Sequence, residues 1–272
     1  MRADQYLVER GLAASRSQAQ RLITGGVRWR LPGATTWRTV SKNGDDLPAG
    51  VEICLDDTAE SRYVSRGGLK LEGALRACGL PAAHEQPLRG TTCLDVGQST
   101  GGFTDCLLQH GASRVVGVDV GQAQLHPRCV GDERVCALEK FNARELSRAL
   151  LQQRGMPIEW ASDGFDWVVG DLSFISLTLV LPALPALLSL QGQLLMLVKP
   201  QFELQPHQIG KGGLVKDPGL YPVVEQRIRD ACGQNGLQVR GWFDSPIAGG
   251  DGNREFFVWA AHAAKTPAGE AP

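Results

Sequence analysis

Two lysines and two acidic residues are placed where they could take part in the same chemistry. Asp171 and Lys199 each follow an apolar stretch directly, and Lys70 and Glu255 lie in segments able to fold over the same crevice. A lysine ammonium at the end of an apolar strand is expected to be partly desolvated, and neighbouring carboxylates would hold it in place. Such a lysine can accept a proton from a ribose hydroxyl. The alternative is a structural ion-pair cluster, and residue types alone do not separate the two.

A glycine-rich loop lies between two acidic residues, Asp95 and Asp119, the second of which stands 22 residues after Gly97. In a parallel sheet such a loop lets the backbone approach a nucleoside, and the acid at the end of the next strand binds ribose hydroxyls. A dinucleotide site needs Gly-x-Gly-x-x-Gly. This loop has Gly-x-x-x-Gly-Gly after an acid that would repel a pyrophosphate but suit the ammonium group of S-adenosylmethionine. The candidate cofactor residues are Asp95, Gly97, Ser99, Thr100, Gly101, Gly102, Phe103, Asp119 and Asn142.

Structural alternatives exist for both parts of this cofactor site. The glycine turn could serve only to pack a helix on the sheet. Asn142, just past the third predicted strand, could lie near an adenine or could cap a loop.

The segment after the fourth predicted strand discriminates among methyl-transfer chemistries. A transferase that acts on an exocyclic base nitrogen usually presents Asn/Asp-Pro-Pro-aromatic there, and one that acts on a cytosine carbon needs a nucleophilic cysteine. This chain has Asp171-Leu172-Ser173-Phe174, which fits neither pattern. Methylation of a hydroxyl with a lysine base is the chemistry that remains.

The spacing of apolar residues predicts the elements that must position these side chains. From about residue 61 short apolar runs alternate with helical segments, which indicates a doubly wound α/β domain on a parallel sheet. The carboxyl ends of its strands would bring Asp171 and Lys199 to one edge of the sheet. The predicted strands are Thr92–Val96, Arg114–Val120, Val135–Leu138, Phe165–Asp171, Leu194–Val198, Gln238–Phe243 and Glu255–Ala260.

The stretch Leu172–Val198 contains no charged residue and is longer than the ~20 apolar residues that a membrane-spanning helix needs. It also contains Pro182, Pro185 and Gly192, together with several hydroxyl and amide side chains. Buried helices and parallel strands are equally apolar on both faces. We therefore expect a helix over about 177–190, a glycine turn and a short strand, and no membrane span.

The first 42 residues form a basic module. They carry eight Arg or Lys against two acids, whereas residues 43–60 carry six acids and no base, within a chain of net charge −1. Ser15 and Gln18 form a capping box that opens a helix, two glycines end it, and a strand follows over residues 27–31. We expect these elements to bring their arginines to one surface that binds RNA phosphates, the alternative being an ordinary solvated surface. The candidate RNA-binding residues are Arg10, Arg16, Arg21, Arg28, Arg30 and Arg66.

Seven cysteines are scattered along the chain without a Cys-x-x-Cys pair. An odd number without paired spacing argues against a disulfide framework and a zinc site, and favours a reducing cytosol. The N-terminus begins with a charged amphipathic segment and lacks the apolar core of a signal peptide. We therefore expect a cytoplasmic protein that holds no metal.

Five motifs together resemble the TlyA family of bacterial rRNA 2′-O-methyltransferases, whose members were once called haemolysins. They are Ser65-Arg66-Gly67-Gly68-x-Lys70, Asp95-x-Gly97-x-Ser99-Thr100-Gly101-Gly102-Phe103-Thr104-Asp105, Gly170-Asp171-x-Ser173-Phe174, Lys199-Pro200-Gln201-Phe202-Glu203 and Gly210-Lys211-Gly212-Gly213. The resemblance implies a small α+β alpha-L RNA-binding domain over residues 1–60 and a Rossmann-like FtsJ-type methyltransferase domain over residues 61–262. The second domain would contain a mostly parallel seven-stranded sheet with a C-terminal antiparallel hairpin, and residues 263–272 would be a disordered tail.

The resemblance also implies an activity, namely 2′-O-methylation of cytidine in rRNA within ribosomal subunits, with S-adenosylmethionine as donor. The Lys-Asp-Lys-Glu tetrad of the FtsJ-type fold maps onto Lys70, Asp171, Lys199 and Glu255. By this correspondence Lys199 is the base. Asp171 and Glu255 orient and tune it, and Lys70 positions the hydroxyl or screens charge.

At two places the chain departs from the family pattern. Gln98 stands where a small residue is usual, which predicts a reshaped or partly filled cofactor loop. Residues 31–37 replace the usual Val-Asn-Gly turn, which bears on how RNA docks.

Functions of two other classes remain open from the sequence. A non-catalytic RNA-binding or ribosome assembly factor would retain the same fold, although the tetrad and the glycine loop argue against it. A membrane-lytic protein is what the old family name suggests.

Overall fold

The computed structural model describes residues 1–13, 15–55, 62–249 and 252–263, without the side chains of residues 17, 21 and 25. The chain divides into two compact units, Met1–Leu69 and Lys70–Pro272. The predicted tail lies outside the described residues from residue 264 onward. The domain limits expected at residues 60 and 262 stay predictions.

The N-terminal unit combines two helices with a small antiparallel sheet. Its elements are α1 (Ala3–Glu9), α2 (Arg16–Gly26), β1 (Val27–Arg30), β2 (Arg38–Thr39) and β3 (Glu52–Leu55). The strands are ordered β2-β1-β3. The helix α2 begins where the capping box predicts, because the Ser15 hydroxyl accepts a 3.3 Å hydrogen bond from the Gln18 amide. Leu7, Leu22 and Val27 are buried between the helices and the sheet, which leaves polar side chains on the outer surfaces.

A seven-stranded sheet forms the second unit. Its strands are β4 (Thr92–Val96), β5 (Arg114–Val118), β6 (Val135–Leu138), β7 (Phe165–Gly170), β8 (Leu188–Val198), β9 (Leu237–Asp244) and β10 (Phe256–His262). They are ordered β6-β5-β4-β7-β8-β10-β9. Strands β4 to β8 run parallel to one another, and β10 is antiparallel to both β8 and β9. The predicted mostly parallel sheet with a C-terminal hairpin is confirmed.

Helices join these strands and cover the sheet. They are α3 (Arg66–Ala77), α4 (Gly102–Gln109), α5 (Pro127–Val130), α6 (Arg148–Gln153), α7 (Pro200–Glu203) and α8 (Tyr221–Gln234). The central strands carry runs of wholly buried apolar residues, such as Leu94, Val116, Val168 and Met196. Such runs are typical of parallel strands covered on both faces. The chain leaves β4 toward β5 and β6 on one side and later returns to β7 and β8 on the other, so a crevice forms at the carboxyl ends of β4 and β7.

The prediction of a helix over about 177–190 is wrong. This segment forms three short 3₁₀ turns, Leu177–Leu179, Leu181–Ala183 and Pro185–Leu187. Pro182 and Pro185 lack the amide hydrogen that a continuous α-helix requires, so the chain turns in short pieces. Gly192 lies inside β8 and not in a turn, and a Cβ there would come within 2.6 Å of the Phe165 carbonyl oxygen. Among the described residues, no helix is both long and apolar enough to cross a membrane.

Candidate active site

A cavity of about 440 Å³ opens at the carboxyl ends of β4, β5 and β7, where the strand order reverses. Four of the predicted cofactor residues line it, namely Gly97, Ser99, Asp119 and Asn142. The predicted catalytic residue Asp171 forms part of the same wall, and the other lining side chains are mainly apolar. A cavity of this size lies within the range of roughly 300–1,000 Å³ that is usual for small-molecule sites.

The turn after β4 forms one wall of this cavity. Gly97 has a φ of 89°, and a Cβ there would lie 2.6 Å from the Asp171 carbonyl oxygen, so only glycine lets the two loops approach this closely. The amides of Ser99 and Gly121 donate hydrogen bonds to the Asp119 carboxylate at 2.7 and 2.6 Å. Asp119 is therefore held by backbone groups at the cavity wall, and each of its oxygens has capacity to accept a further hydrogen bond.

Beneath this loop lies Asp95, outside the cavity wall. Its carboxylate is wholly buried and accepts a 2.7 Å hydrogen bond from the Thr104 hydroxyl. Its Oδ1 atom has no hydrogen-bond partner among the described residues. Burial raises the pKa of Asp95 to about 7, the Thr104 hydrogen bond opposes the shift, and the nearby carboxylates of Asp171 and Asp119 add to it.

Gln98 also lies below the loop. Its side-chain amide donates a 2.8 Å hydrogen bond to the Thr104 hydroxyl, and a Cβ at Gly117 would come within 2.0 Å of that amide. The side chain is buried and does not line the cavity. Gln98 therefore does not fill the cavity, because the glycine in β5 leaves room for the amide under the loop, and a reshaped cofactor loop stays a prediction.

The other predicted cofactor residues lie in the loop or in the first turn of α4, outside the cavity wall: Thr100, Gly101, Gly102 and Phe103. Gly101 caps α4 with a φ of 91°. Phe103 is buried, and its ring centroid lies 6.2 Å from that of Phe257. The Asn142 side chain accepts a hydrogen bond from the Arg144 amide at 3.1 Å and also lines the cavity, so its predicted position near an adenine stays a prediction.

The predicted base, Lys199, lies at the carboxyl end of β8. Its Nζ atom is 2.6 Å from the Asp171 carboxylate and donates a 2.8 Å hydrogen bond to the Ser173 hydroxyl. Asp171 belongs to the cavity wall, so this ion pair lies beside the candidate cofactor site. The Lys199 and Asp171 side chains are 12% and 23% exposed.

A second ion pair joins Lys70 and Glu255, with 2.6 Å between Nζ and Oε2. Both side chains are more deeply buried than the Lys199 pair, at 9% and 3% exposure. Burial raises the pKa of Glu255, whereas the charges of Lys70 and Lys199 lower it and Asp171 raises it. The structure therefore brings the four predicted catalytic residues into one electrostatically coupled cluster, in which Asp171 is the member that lines the cavity.

Three residues of the site were not predicted: Ser173, Phe174 and Glu203. Ser173 contacts Lys199 directly. Phe174 lines the cavity, is 91% exposed and has a φ of 64°, which is unusual for a bulky side chain. Glu203 is buried and accepts hydrogen bonds from the segment that follows Phe174. All three stand within the recognised sequence motifs, but their contacts depend on how two distant loops meet.

Several of the predicted RNA-binding arginines are occupied by contacts within the N-terminal unit. Asp4 is wholly buried, and it pairs with Arg2 at 3.1 Å and with Arg16 at 3.0 Å. Hydrogen bonds from Arg2 and Arg16 hold the pKa of Asp4 well below its usual range. Arg16 thus neutralises a buried carboxylate with one edge of its guanidinium.

The remaining arginines differ in their surroundings. Arg30 lies 2.6 Å from Glu52 and stacks over the Trp37 ring at 4.5 Å, whereas Arg10 lies over Tyr6 and is exposed. The other members of the predicted set are Arg28, which contacts the Cys54 sulfur at 3.9 Å, Arg66, which begins α3, and Arg21, whose side chain lies outside the described residues.

The donor set around the cavity fits a nucleoside with a cationic tail. Asp119 suits ribose hydroxyls, the apolar wall suits a base, and the unpartnered oxygen of the buried Asp95 leaves negative potential under the loop. Among the described residues no group of three His, Cys, Asp or Glu side chains could hold a metal ion.

Comparisons with known proteins give a consistent result. Residues 63–262 match the FtsJ-like methyltransferase family. The chain is 40% identical over 258 residues to the 16S/23S rRNA (cytidine-2′-O)-methyltransferase TlyA of Mycobacterium tuberculosis, over 95% of this chain and 88% of the relative. It is 30% identical over 223 residues to the 23S rRNA (cytidine-2′-O)-methyltransferase TlyA of Campylobacter jejuni, over 82% and 79% of the two chains.

The solved structure of a candidate hemolysin from Streptococcus thermophilus is also similar. It is 36% identical and superposes with a TM-score of 0.69, over 97% of this chain and 89% of that chain.

Proposed function

The chain belongs to the TlyA family of FtsJ-like rRNA methyltransferases, and we propose that it transfers a methyl group from S-adenosylmethionine to the ribose 2′-oxygen of a cytidine in rRNA. The observation that carries this proposal is the position of the Lys199–Asp171 pair, because Asp171 also lines the candidate nucleoside cavity. A proton acceptor and a cofactor site thus share one wall.

We assign the cofactor to the cavity beside β4 and β5. Asp119 would bind the ribose hydroxyls, Asn142 would lie near the base, and the loop at Gly97 would let the backbone approach. When bound there, S-adenosylmethionine supplies an electrophilic methyl group. A cationic ligand above the loop would favour the ionised form of the buried Asp95, whereas a pyrophosphate would not.

Lys199 is assigned as the base that takes the proton from the ribose 2′-hydroxyl. Asp171 and Ser173 fix the direction of its amine through contacts of 2.6 and 2.8 Å. The buried Lys70–Glu255 pair is better placed to set the local potential than to contact RNA. The protein contributes mainly by positioning the reacting groups and by assisting loss of the proton.

Phe174 is assigned to the substrate side of the cavity. Its ring is almost fully exposed at the cavity wall, and its backbone is held in the left-handed region. An exposed aromatic ring offers a stacking surface for an unpaired base, worth about 1–3 kcal/mol per base. The ring could therefore hold the target nucleotide beside Lys199.

The N-terminal unit is assigned to RNA binding, with rRNA in ribosomal subunits in the cytoplasm as the partner. Its first 42 residues carry eight basic residues against two acids. The names of the two relatives differ, since one specifies 16S and 23S rRNA and the other 23S rRNA. For this chain we propose cytidine in rRNA as the substrate class.

The direct test incubates the protein with isolated small and large ribosomal subunits and isotope-labelled S-adenosylmethionine. The rRNA is then digested to nucleosides, which are separated by mass spectrometry. The proposal predicts label in 2′-O-methylcytidine. Label in a base-methylated nucleoside, or in none, contradicts it. Without labelling, a thermal shift with cofactor separates a non-catalytic factor, which gains no stability, from the enzyme.

A further inference from the structure

Two loops meet at the site through a series of contacts that extends beyond the catalytic pair. The β7 loop, residues 171–177, follows β7. The segment called the β8 loop, residues 199–203, follows β8 and consists of Lys199 and the short helix α7. At one end of the series, Lys199 contacts the β7 loop through Asp171 and Ser173. In the middle, the rings of Phe174 and Phe202 lie 5.3 Å apart.

At the other end, Glu203 joins the two loops through its carboxylate. Oε2 accepts a 2.5 Å hydrogen bond from the Ser176 hydroxyl, and Oε1 accepts a 2.7 Å hydrogen bond from the Leu177 amide. Glu203 is 3% exposed, so neither hydrogen bond is replaced by water. Arg227 of α8 donates to the Glu203 carbonyl oxygen, which fixes the backbone that carries this carboxylate.

Glu203 places a carboxylate where burial of a charged group is unfavourable. Burial raises the pKa of Glu203, and the hydrogen bonds from Ser176 and Leu177 act in the opposite direction. A buried charged group is costly unless its partners satisfy it. Glu203 is not part of the Lys-Asp-Lys-Glu cluster and does not line the cavity. Its role therefore has to follow from its hydrogen-bond partners, which belong to the β7 loop.

The β7 loop needs such a restraint, because Phe174 adopts a φ of 64°. A bulky residue in the left-handed region is strained and persists only where the surroundings impose it. Restraints lie on both sides of Phe174, with Lys199 contacting Ser173 before it and Glu203 contacting Ser176 after it. Without the second restraint, the loop would be free to relax and to carry Ser173 away from Lys199.

We propose that Glu203 is a positioning residue for methyl transfer, which holds the β7 loop in the geometry that aims Lys199 and presents Phe174. This inference deepens the proposed function and rests on it. Glu203 acts through the loop and not on the substrate.

The test compares three variants. Glu203→Ala removes both hydrogen bonds and is expected to lower kcat about tenfold or more, since small displacements at a reacting centre reduce rates strongly. Glu203→Gln keeps one acceptor for the Leu177 amide and can donate to the Ser176 hydroxyl, so it is expected to remain within about threefold of wild type. Ser176→Ala removes one of the two hydrogen bonds without touching Glu203, and an intermediate kcat is expected.

Asp166→Ala is the matched control. Asp166 lies in β7, away from the loop, and its carboxylate accepts a 2.8 Å hydrogen bond from the Thr92 amide. The control therefore loses a comparable contact on the same strand and is expected to keep its kcat. The KM for RNA is measured in parallel, and a positioning role predicts that it changes much less than kcat.

Hydrogen exchange of the segment 171–178 in the ligand-free protein provides a readout that does not depend on activity. Faster exchange in Glu203→Ala, with little change in Glu203→Gln, supports the proposal. A wild-type kcat in Glu203→Ala, an equal loss in Asp166→Ala, or unchanged exchange overturns it. An inactive wild-type protein would refute the proposed function, while the exchange result would still test whether Glu203 holds the loop.

Discussion

At the scale of single residues, the site contains two ion pairs whose acidic partners are buried to different extents. The Lys199 and Lys70 side chains are almost equally exposed, at 12% and 9%, but their acidic partners differ: Asp171 lines the cavity, whereas Glu255 is buried. Lys199 is therefore the better candidate for the base, because its partner places it beside the candidate cofactor site. The residue types alone could not make that choice, since both lysines stand next to acids in the folded chain.

Replacing the buried pair separates catalysis from stability. Lys70→Met alone leaves Glu255 buried without its 2.6 Å partner and should reduce the free energy of unfolding by about 3–5 kcal/mol. Combining Lys70→Met with Glu255→Leu should restore most of that stability, because an apolar pair avoids the desolvation of two charges. Methyl transfer should remain impaired in the double variant. Urea unfolding and an activity assay on the same samples check both, and full activity in the double variant would show that the cluster is only structural.

The buried Asp95 gives the stability of the protein a pH dependence. Its pKa is raised from 3.8 to about 7 in the folded state, so the folded chain binds this proton more tightly than the unfolded chain does. The free energy of unfolding should therefore fall as the pH rises from about 4 to about 7, by an amount on the order of 4 kcal/mol, and level off above. Asp95→Asn should remove the part of this decrease in the free energy of unfolding that comes from Asp95.

Denaturant unfolding at several pH values compares Asp95→Asn with wild type and with Asp163→Asn, which changes an exposed carboxylate. The account predicts a weaker pH dependence in Asp95→Asn only. Parallel curves for all three proteins would mean that the buried carboxyl group titrates normally.

At the scale of elements, the parts that the sequence predicts well are those fixed by local pattern. The limits of β4 and β6 and the start of α2 agree with the expectation, because apolar runs and a capping serine specify them locally. The helix predicted over about 177–190 is wrong because its apolar spacing resembles that of a helix while Pro182 and Pro185 interrupt the hydrogen bonding. Contacts across distant segments, such as Glu203 with Ser176, leave no local pattern.

The N-terminal elements yield a prediction about which arginine binds RNA. Arg16 pairs with the buried Asp4, so Arg16→Ala should lower the melting temperature as well as RNA affinity. Arg10 is exposed and contacts only the Tyr6 ring among the contacts described for it. Arg10→Ala should leave the melting temperature unchanged. It should also reduce the slope of the RNA-binding constant against salt concentration, on logarithmic scales, by about the amount that one phosphate contact contributes.

Binding titrations at several salt concentrations measure that slope, and Arg89→Ala, an exposed arginine in the second unit, is the control. A slope unaltered by Arg10→Ala would remove Arg10 from the RNA-binding surface.

At the scale of the whole molecule, a nearly neutral chain separates its charge by region. The net charge is −1, yet the first 42 residues carry eight basic residues against two acids, and residues 43–60 carry six acids and no basic residue. The mostly parallel sheet and the position of Asp171 and Lys199 at its carboxyl edge follow from rules for parallel sheets, and so could be predicted. Lys70 in α3 and Glu255 before the antiparallel β10 could only be placed in segments able to fold over that edge. The direction of the Gln98 side chain could not, because it depends on the space that Gly117 leaves in a neighbouring strand.

The central claim is that Lys199 removes the proton from a ribose hydroxyl. The measurement is the single-turnover rate of 2′-O-methylcytidine formation in rRNA with wild-type protein and with Lys199→Ala, at saturating cofactor and with cofactor and RNA binding measured on the same samples. We predict that Lys199→Ala binds both ligands and forms no detectable product. A rate within a few-fold of wild type would contradict the assignment of Lys199 as the base.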